Sequence, residues 1–322
     1  MDYGNLLSRA WNIVWNNKFM FVLGFLAALG GGGNGGSAGS NFRVGPRGVP
    51  SDFSAEVERF FAQFGPLFLG LACLGLLLVV VFWLIRLAAQ GGLISAAARI
   101  DAGEKVTFGQ AFSAGTSKLG RLIGINLLLY GPLLVVGIGA AILFFVTAGA
   151  AAFSAIGASG GRGELETVAG TLGVFAICFV CLACLMIPLF ILVSVIHPFA
   201  QRGAVLQNLG VTASISHAWN IIKENLGDVI LLIILFIIIG LLFGIVLALV
   251  LVPFAFLAIG PAVIDVILKD AIGPLNVIMI IIGAIIVALI AAAINSILVA
   301  FRSTTITLAY QEFVARARGK LA

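Results

Sequence analysis

An all-α membrane protein is what the sequence predicts: six transmembrane helices in three hairpin repeats, each preceded by a cytoplasmic interfacial amphipathic helix. Three observations carry that expectation. The chain of 322 residues is 61% hydrophobic and 10% charged, with mean hydropathy +1.20, against about 45–50% apolar and about 25% charged in a soluble domain. Six apolar runs approach the about 20 residues that a helix needs to cross a hydrocarbon core about 30 Å thick. The tetrapeptide "AWNI" occurs at 10–13 and again at 218–221, each time just ahead of such a run.

Taken in order, the first run is the weakest: Phe19 to Leu29, "FMFVLGFLAAL", extended by glycines to about Gly33. It reads as a membrane segment rather than as the h-region of a signal peptide, because a long leader with two tryptophans precedes it. The second runs from about Pro66 to Leu87 and the third from Leu122 to about Ala151. The fourth spans Val168 to Ile196, the fifth Val229 to about Ile259, and the sixth begins near Val277. Apart from Arg86 at the inner edge of the second, these five runs hold no Asp, Glu, Lys or Arg. No Pro or Gly lies between Gly283 and Gly319, so the sixth helix is expected to run on as a cytoplasmic helix over 303–318. Its Ile306, Leu308, Ala309, Tyr310 and Phe313 would pack on the leaders.

The leaders form the repeat. Aligning Trp11 with Trp219 also aligns Ser8 with Ser216, Ala10 with Ala218, Asn12 with Asn220, Ile13 with Ile221 and Asn17 with Asn225. A third copy, "TFGQAFSAGTSKLG", has Phe112 where the others have tryptophan, and Gly103 and Gly210 stand eight residues before Ala111 and Ala218. One membrane domain over 1–322 results, with repeats at 5–90, 103–200 and 210–302. Thr107 and Ser214 are the expected helix N-caps, and Gln110 completes a capping box with Thr107. Apolar residues then recur at helical spacing, which makes each leader an amphipathic helix about three turns long. Trp11, Trp15, Phe112 and Trp219 are its expected anchors at the head-group boundary, where an amphipathic ring is favoured; the alternative for Trp11, Phe112 and Trp219 is packing against neighbouring helices.

Between the spans, an outer loop over 30–65 opens with "GGGGNGGSAGS", a flexible composition. It continues into "SDFSAEVERFFAQF", which reads as a short surface helix. "GASGGRGELET" is a second glycine-rich turn, and "PAVIDVILKDAIGP" is apolar enough to lie on the membrane. With both termini inside, the cytoplasmic segments hold 13 of the 18 basic residues and a net charge of +7, while the outer loops carry −2. That asymmetry matches retention of positive charge on the cytoplasmic side. It assigns the basic character to topology and anionic lipid, with no stretch dense enough for nucleic acid.

Chemistry has little to work with. Cys178, Cys181 and Cys184 have C-x2-C-x2-C spacing but lie in one apolar run, where cysteine is a common small packing residue. His197 and His217 have no carboxylate three or four residues on and read as solvated polar residues; no metalloprotease, nucleophile-elbow or P-loop pattern occurs. No cofactor or metal is implied. Asn126, Tyr130, Asn295 and Ser296 are polar groups within spans that are candidates for interhelical hydrogen bonds. Pro132, Pro188 and Pro253 are positions for kinks, and Gly240 with Gly244 forms a GxxxG that permits close helix approach.

The runs "GGLISAAARIDAGEKVTFGQAFSAG", "RGAVLQNLGVTASISHAWNIIKEN" and "FRSTTITLAYQEF" resemble an integral-membrane domain family found fused to bacterial glycerophosphodiester phosphodiesterases. The same pattern recurs in stand-alone bacterial and archaeal membrane proteins. The likeness covers most of the chain beyond about Gly91. It implies a prokaryotic plasma-membrane location and no activity, since the phosphodiesterase site belongs to a soluble barrel that no segment here forms. The expected function is that of a non-enzymatic structural or accessory subunit, with membrane lipids and other subunits or a second copy as partners. The alternative is a transporter or channel for a lipid-like or small neutral solute.

Overall fold

A computed structural model describes residues 2–29, 53–157, 162–269 and 274–319. Among these, the regular elements are nine α-helices: α1 (Tyr3–Asn16), α2 (Phe19–Leu29), α3 (Phe53–Asp101), α4 (Phe108–Thr116), α5 (Leu119–Gly157), α6 (Arg162–Leu206), α7 (Val211–Glu224), α8 (Leu226–Lys269) and α9 (Pro274–Gly319). The all-α class follows from the scarcity of breakers within the apolar runs. Pro132, Pro188 and Pro198 lie inside helices, where each deletes one backbone hydrogen bond without ending the helix.

Five helices are long and apolar enough to cross a membrane: the stretches Cys73–Asp101, Leu119–Thr147, Phe179–Leu206, Leu226–Leu257 and Ile278–Ala317. That is the build of a multi-pass membrane protein. The first expected span corresponds to α2, which has 11 residues and at about 1.5 Å per residue reaches about half of a hydrocarbon core. The glycines meant to extend it lie outside the described residues.

The connections differ from expectation in the direction of longer helices. The outer loop placed at 30–65 ends earlier, because α3 already begins at Phe53; residues 30–52 lie outside the described set. The surface helix expected at 53–64 is therefore the start of one 49-residue helix. Likewise α6 begins at Arg162, and α8 carries the helix through 261–269 instead of a segment lying on the membrane. Helical hydrogen bonding does not stop where hydropathy falls, and Glu, Lys, Arg and Ala sustain a helix in water as well as Leu does in lipid. Pro274 opens α9, at the one helical position where a missing N–H costs nothing.

Two compact units are present, Met1–Leu119 with Gly227–Glu312, and Gly120–Leu226 with Phe313–Ala322. In the first, the core joins Val14 of α1, Met20, Leu23 and Ala27 of α2, Ala89, Leu93, Ala96 and Ala97 of α3, Ala111 of α4 and Ala300 of α9. The run Thr304–Tyr310 is buried throughout, Ile306, Leu308, Ala309 and Tyr310 included. Thr304 and Thr305 tolerate this because their hydroxyls donate to the carbonyls of Ala300 and Phe301, both at 2.9 Å. In the second unit, Leu122 and Ile125 of α5, Ile196, Phe199, Ala200 and Ala204 of α6, and Ala218, Ile221 and Ile222 of α7 are buried. Phe313 closes that core with its ring centroid 6.1 Å from that of Phe199.

Candidate functional site

Each of the three short helices buries an alanine and the residue four positions on: Ala10 and Val14, Ala111 and Gly115, Ala218 and Ile222. The aromatic residue following each alanine sits about 100° further round the helix, at the edge of the buried face. On α1, Trp11 and Trp15 are exposed and stacked, with centroids 5.3 Å apart; Trp11 meets Phe301 edge-on at 5.9 Å and Trp15 meets Phe21 at 6.0 Å. On α4, Phe112 is partly buried and packs on the core, and the exposed ring is Phe108, stacked on it at 5.9 Å. On α7, Trp219 is half-buried beneath the ammonium of Lys223, 4.8 Å from the ring centroid. Sequence spacing found the rings but not this difference, since burial of Phe112 depends on α3 and α2.

The caps are of two kinds. Thr107 caps α4 with the expected box: the Gln110 N–H donates to Thr107 Oγ1 at 3.5 Å, and the Thr107 N–H donates to Gln110 Oε1 at 3.1 Å. Ser214 does not cap α7. The cap is Gly210, without a side-chain bond, and Ser214 lies buried one turn inside. Nor are Gly103 and Gly210 conformational equivalents. Gly103, at φ +85°, ends α3 in a Schellman turn, its N–H donating to Ile100 at 2.9 Å and that of Glu104 to Arg99 at 2.9 Å. The left-handed residue after α6 is Asn208, at φ 58°, whose side-chain oxygen accepts from Arg121 at 3.3 Å. Asn17 and Asn225 are true counterparts: each side-chain amide donates to the carbonyl four residues back, of Ile13 at 2.8 Å and Ile221 at 3.0 Å.

Two polar contacts tie α1 to the long helices. The Tyr3 hydroxyl donates to Asp228 Oδ1 at 2.7 Å, at the first turn of α8, and Arg9 pairs with Asp101 at 2.6 Å, at the end of α3. Close backbone approaches occur at Gly24, Gly92 and Gly115, and the Val211 side chain approaches Gly124 closely. A Cβ at Gly24 would collide with the Ser296 carbonyl of α9, and one at Gly115 with the Ala88 carbonyl of α3. By contrast, a Cβ at Gly240 or Gly244 meets open space among the described residues.

A polar cluster within the long helices joins α5 and α6. Asn126 Nδ2 donates to the Leu122 carbonyl of its own helix at 2.9 Å, which turns Oδ1 toward His197 Nε2, 3.1 Å away. An amide oxygen only accepts and an amide nitrogen only donates, so the Asn126 bond needs the proton on Nε2, whereas the Gln201 Nε2 donor beside the same nitrogen needs it bare; the two bonds belong to alternative tautomers. Gln201 lies 3.3 Å from the same nitrogen, and the Tyr130 ring meets the imidazole edge-on at 5.1 Å. One position along, Arg202 is 3% exposed and donates to the Pro198 carbonyl at 2.6 Å. Of the four polar span residues expected to bond between helices, Asn126 does so and Tyr130 makes a ring contact. Ser296 instead donates to Ala293 of its own helix at 2.6 Å, because its neighbour across the interface is glycine, and Asn295 is half-buried in α9. Sequence reasoning passed over His197 as a solvated residue; the one local signal was Gln201, four residues on and on the same face.

His217, on α7, is held below its ordinary pKa of 6.5 by burial, partly offset by Glu224. Cys73, Cys181 and Cys184 are free thiols on exposed faces of the long helices rather than packed inside; the side chain of Cys178 lies outside the described set. Among the described residues, no group of three His, Cys, Asp or Glu side chains is placed to hold a metal ion.

No curated protein and no solved structure matches the chain. A family model described as a family of unknown function (DUF7544) matches residues 10–314, which leaves out only short ends, and the chain accordingly belongs to that family.

Proposed function

We propose that this chain is a non-enzymatic integral membrane protein acting as a structural or accessory subunit of a larger membrane assembly. The supporting observation is what covers its long helices. In the most apolar stretch of each, no more than 17% of residues are buried by the rest of the chain, whereas a helix packed into a bundle turns roughly three residues in seven inward. Leu74 to Phe82 of α3, Leu134 to Val146 of α5 and much of α8 present large apolar side chains outward. Lipid, a second copy or a different membrane subunit must cover that surface. The outward GxxxG of α8, Gly240 and Gly244, is a natural seat for a neighbouring helix.

In this reading the helices form three repeats, α1 to α3, α4 to α6 and α7 to α9, with α2 as the short first span of six. The short helices lie at the cytoplasmic interface of a prokaryotic plasma membrane, with both termini inside and the rings of Trp11, Trp15, Phe108 and Trp219 toward lipid head groups. The likeness to the membrane domain fused to glycerophosphodiester phosphodiesterases supports the same location. Extraction in mild detergent followed by native mass spectrometry tests the assembly. Oligomers or a stoichiometric partner are expected; a strictly monomeric, partner-free protein from native membranes refutes it.

A second reading, transport of a lipid-like or small neutral solute, draws on the polar cluster around His197 within otherwise apolar helices. Solute flux in proteoliposomes that is lost in Asn126→Leu separates the two.

A further inference from the structure

We propose that the Asn126 to His197 hydrogen bond is a clasp on a hinged helix pair, and that the distal parts of α5 and α6 open and close on a fixed base. The proposal does not depend on the assembly reading.

The base is the end of the pair nearest α7. There Leu122, Ile125, Ile196, Phe199, Ala200 and Ala204 are buried, and Gly124 lets Val211 approach so closely that an added Cβ would lie 2.6 Å from its Cγ2. On the far side of His197 the same helices change character. Leu134, Val135, Ile138, Ile142 and Phe145 of α5, with Phe179, Val180, Leu185 and Phe190 of α6, are exposed. The clasp sits at the transition, one half-buried bond 3.1 Å long. Tyr130 extends it outward, its ring 5.1 Å from the imidazole and 6.4 Å from Phe190.

Three prolines fall at this level. Pro132 lies two residues beyond Tyr130, Pro188 two before Phe190, and Pro198 directly after His197. Each removes an N–H to i−4 bond, which frees the carbonyls of Leu128, Cys184 and Ser194 and makes these the points where the helices bend most easily. A packed base, a polar bond at its rim and bendable helices just beyond it are the parts of a hinge with a catch. Because lipid supplies no hydrophobic drive between helices, the catch is decided by that bond and by local packing.

The test uses the full chain in lipid nanodiscs, with its native cysteines replaced and spin labels at Ile142→Cys and Val180→Cys. A second pair, at Gly120→Cys and Thr212→Cys, both on exposed positions, reports on the base. Loss of an interhelical hydrogen bond in a membrane shifts a two-state equilibrium by about threefold to fifteenfold. Asn126→Leu and His197→Leu should therefore raise the long-distance population of the distal pair by that factor, with the base distances unchanged. Adding Pro188→Ala to Asn126→Leu should narrow the distal distribution again. An unchanged distal distribution in Asn126→Leu overturns the proposal. So does equal broadening of both pairs, which would make the bond an ordinary structural contact.

Discussion

Gly115→Ala puts a single methyl group where α4 crosses α3, and its consequence follows from distances. The new Cβ would lie 2.6 Å from the Gly92 amide nitrogen and 3.0 Å from the Ala88 carbonyl carbon, with the Ala88 oxygen nearer still. Ordinary contact requires about 3.5 Å, so α4 must retreat by about 0.9 Å or more. All of the obstructing atoms are backbone of α3, flanked by the buried Ala88, Ala89 and Leu93, so no side chain can swing aside. Overpacking of this kind costs about 1–3 kcal/mol, and more where only backbone can yield. Replacing a helical glycine by alanine returns up to about 1 kcal/mol. The control is on the same helix: an added Cβ at Gly109 meets open space, so Gly109→Ala carries the propensity gain alone. Unfolding followed by tryptophan fluorescence in a denaturing-detergent titration should therefore move the two variants in opposite directions, about 1–3 kcal/mol apart. Equal midpoints for Gly115→Ala and Gly109→Ala would mean that α3 and α4 do not meet there.

Thr107→Ala removes one half of the α4 capping box and should cost about 1 kcal/mol in the same titration, with Thr107→Ser recovering most of it. Tyr3→Phe deletes the bond to Asp228; a hydrogen bond to a charged acceptor is worth about 1.5–3 kcal/mol, and amide exchange in α1 should accelerate as that helix loosens. His217 has its pKa lowered in the folded chain, so both states are neutral above 6.5. As pH falls through that value the unfolded chain takes up the proton first, stability declines, and the decline ends below the folded pKa. His217→Gln should flatten that part of the curve measured between about pH 7.5 and about pH 5. Gly240→Ile together with Gly244→Ile meets open space within the chain and should leave monomer stability unchanged while weakening association measured by native mass spectrometry.

The parts of the fold that were legible are those set by residues close in sequence. Thr107 and Gln110 lie three apart, and their reciprocal bonds follow from that spacing. The unbroken run after Gly283 implies one continuous helix, and its Ile306, Leu308, Ala309, Tyr310 and Phe313 are buried, as are the threonines among them. What escaped is set by distant residues or by solvent. Ser214 has the chemistry of a cap, yet the Asn208 turn starts α7 four residues sooner and leaves that hydroxyl inside. Asn126 finds His197 71 positions away. Nothing local marks Gly24, Gly92 and Gly115 as the glycines against which backbone packs, or Gly124 as the one that seats Val211, rather than the better advertised Gly240 and Gly244.

The distribution of the core has a physical cause that bears on function. Between two apolar helices in lipid there is little to gain by exchanging lipid for protein, so shape and polar contacts must specify the fold. Those resources are concentrated at one end of each long helix. The short helices α1, α4 and α7 bury Ala10, Ala111 and Ala218 there, and the capping box of Thr107, the pair of Arg9 with Asp101 and the bond of Tyr3 to Asp228 lie among them or at their junctions with the long helices. Substitutions at these positions should unfold the unit that holds them, whereas apolar exchanges at the exposed Leu134, Ile142 or Leu249 should not. The exposed lengths of α5, α6 and α8 are thus relieved of the task of holding the fold, and their side chains are free to vary with whatever covers them. The fold is therefore specified by the residues that pack at the short helices, and the outward side chains are those that the chain's own packing leaves least constrained.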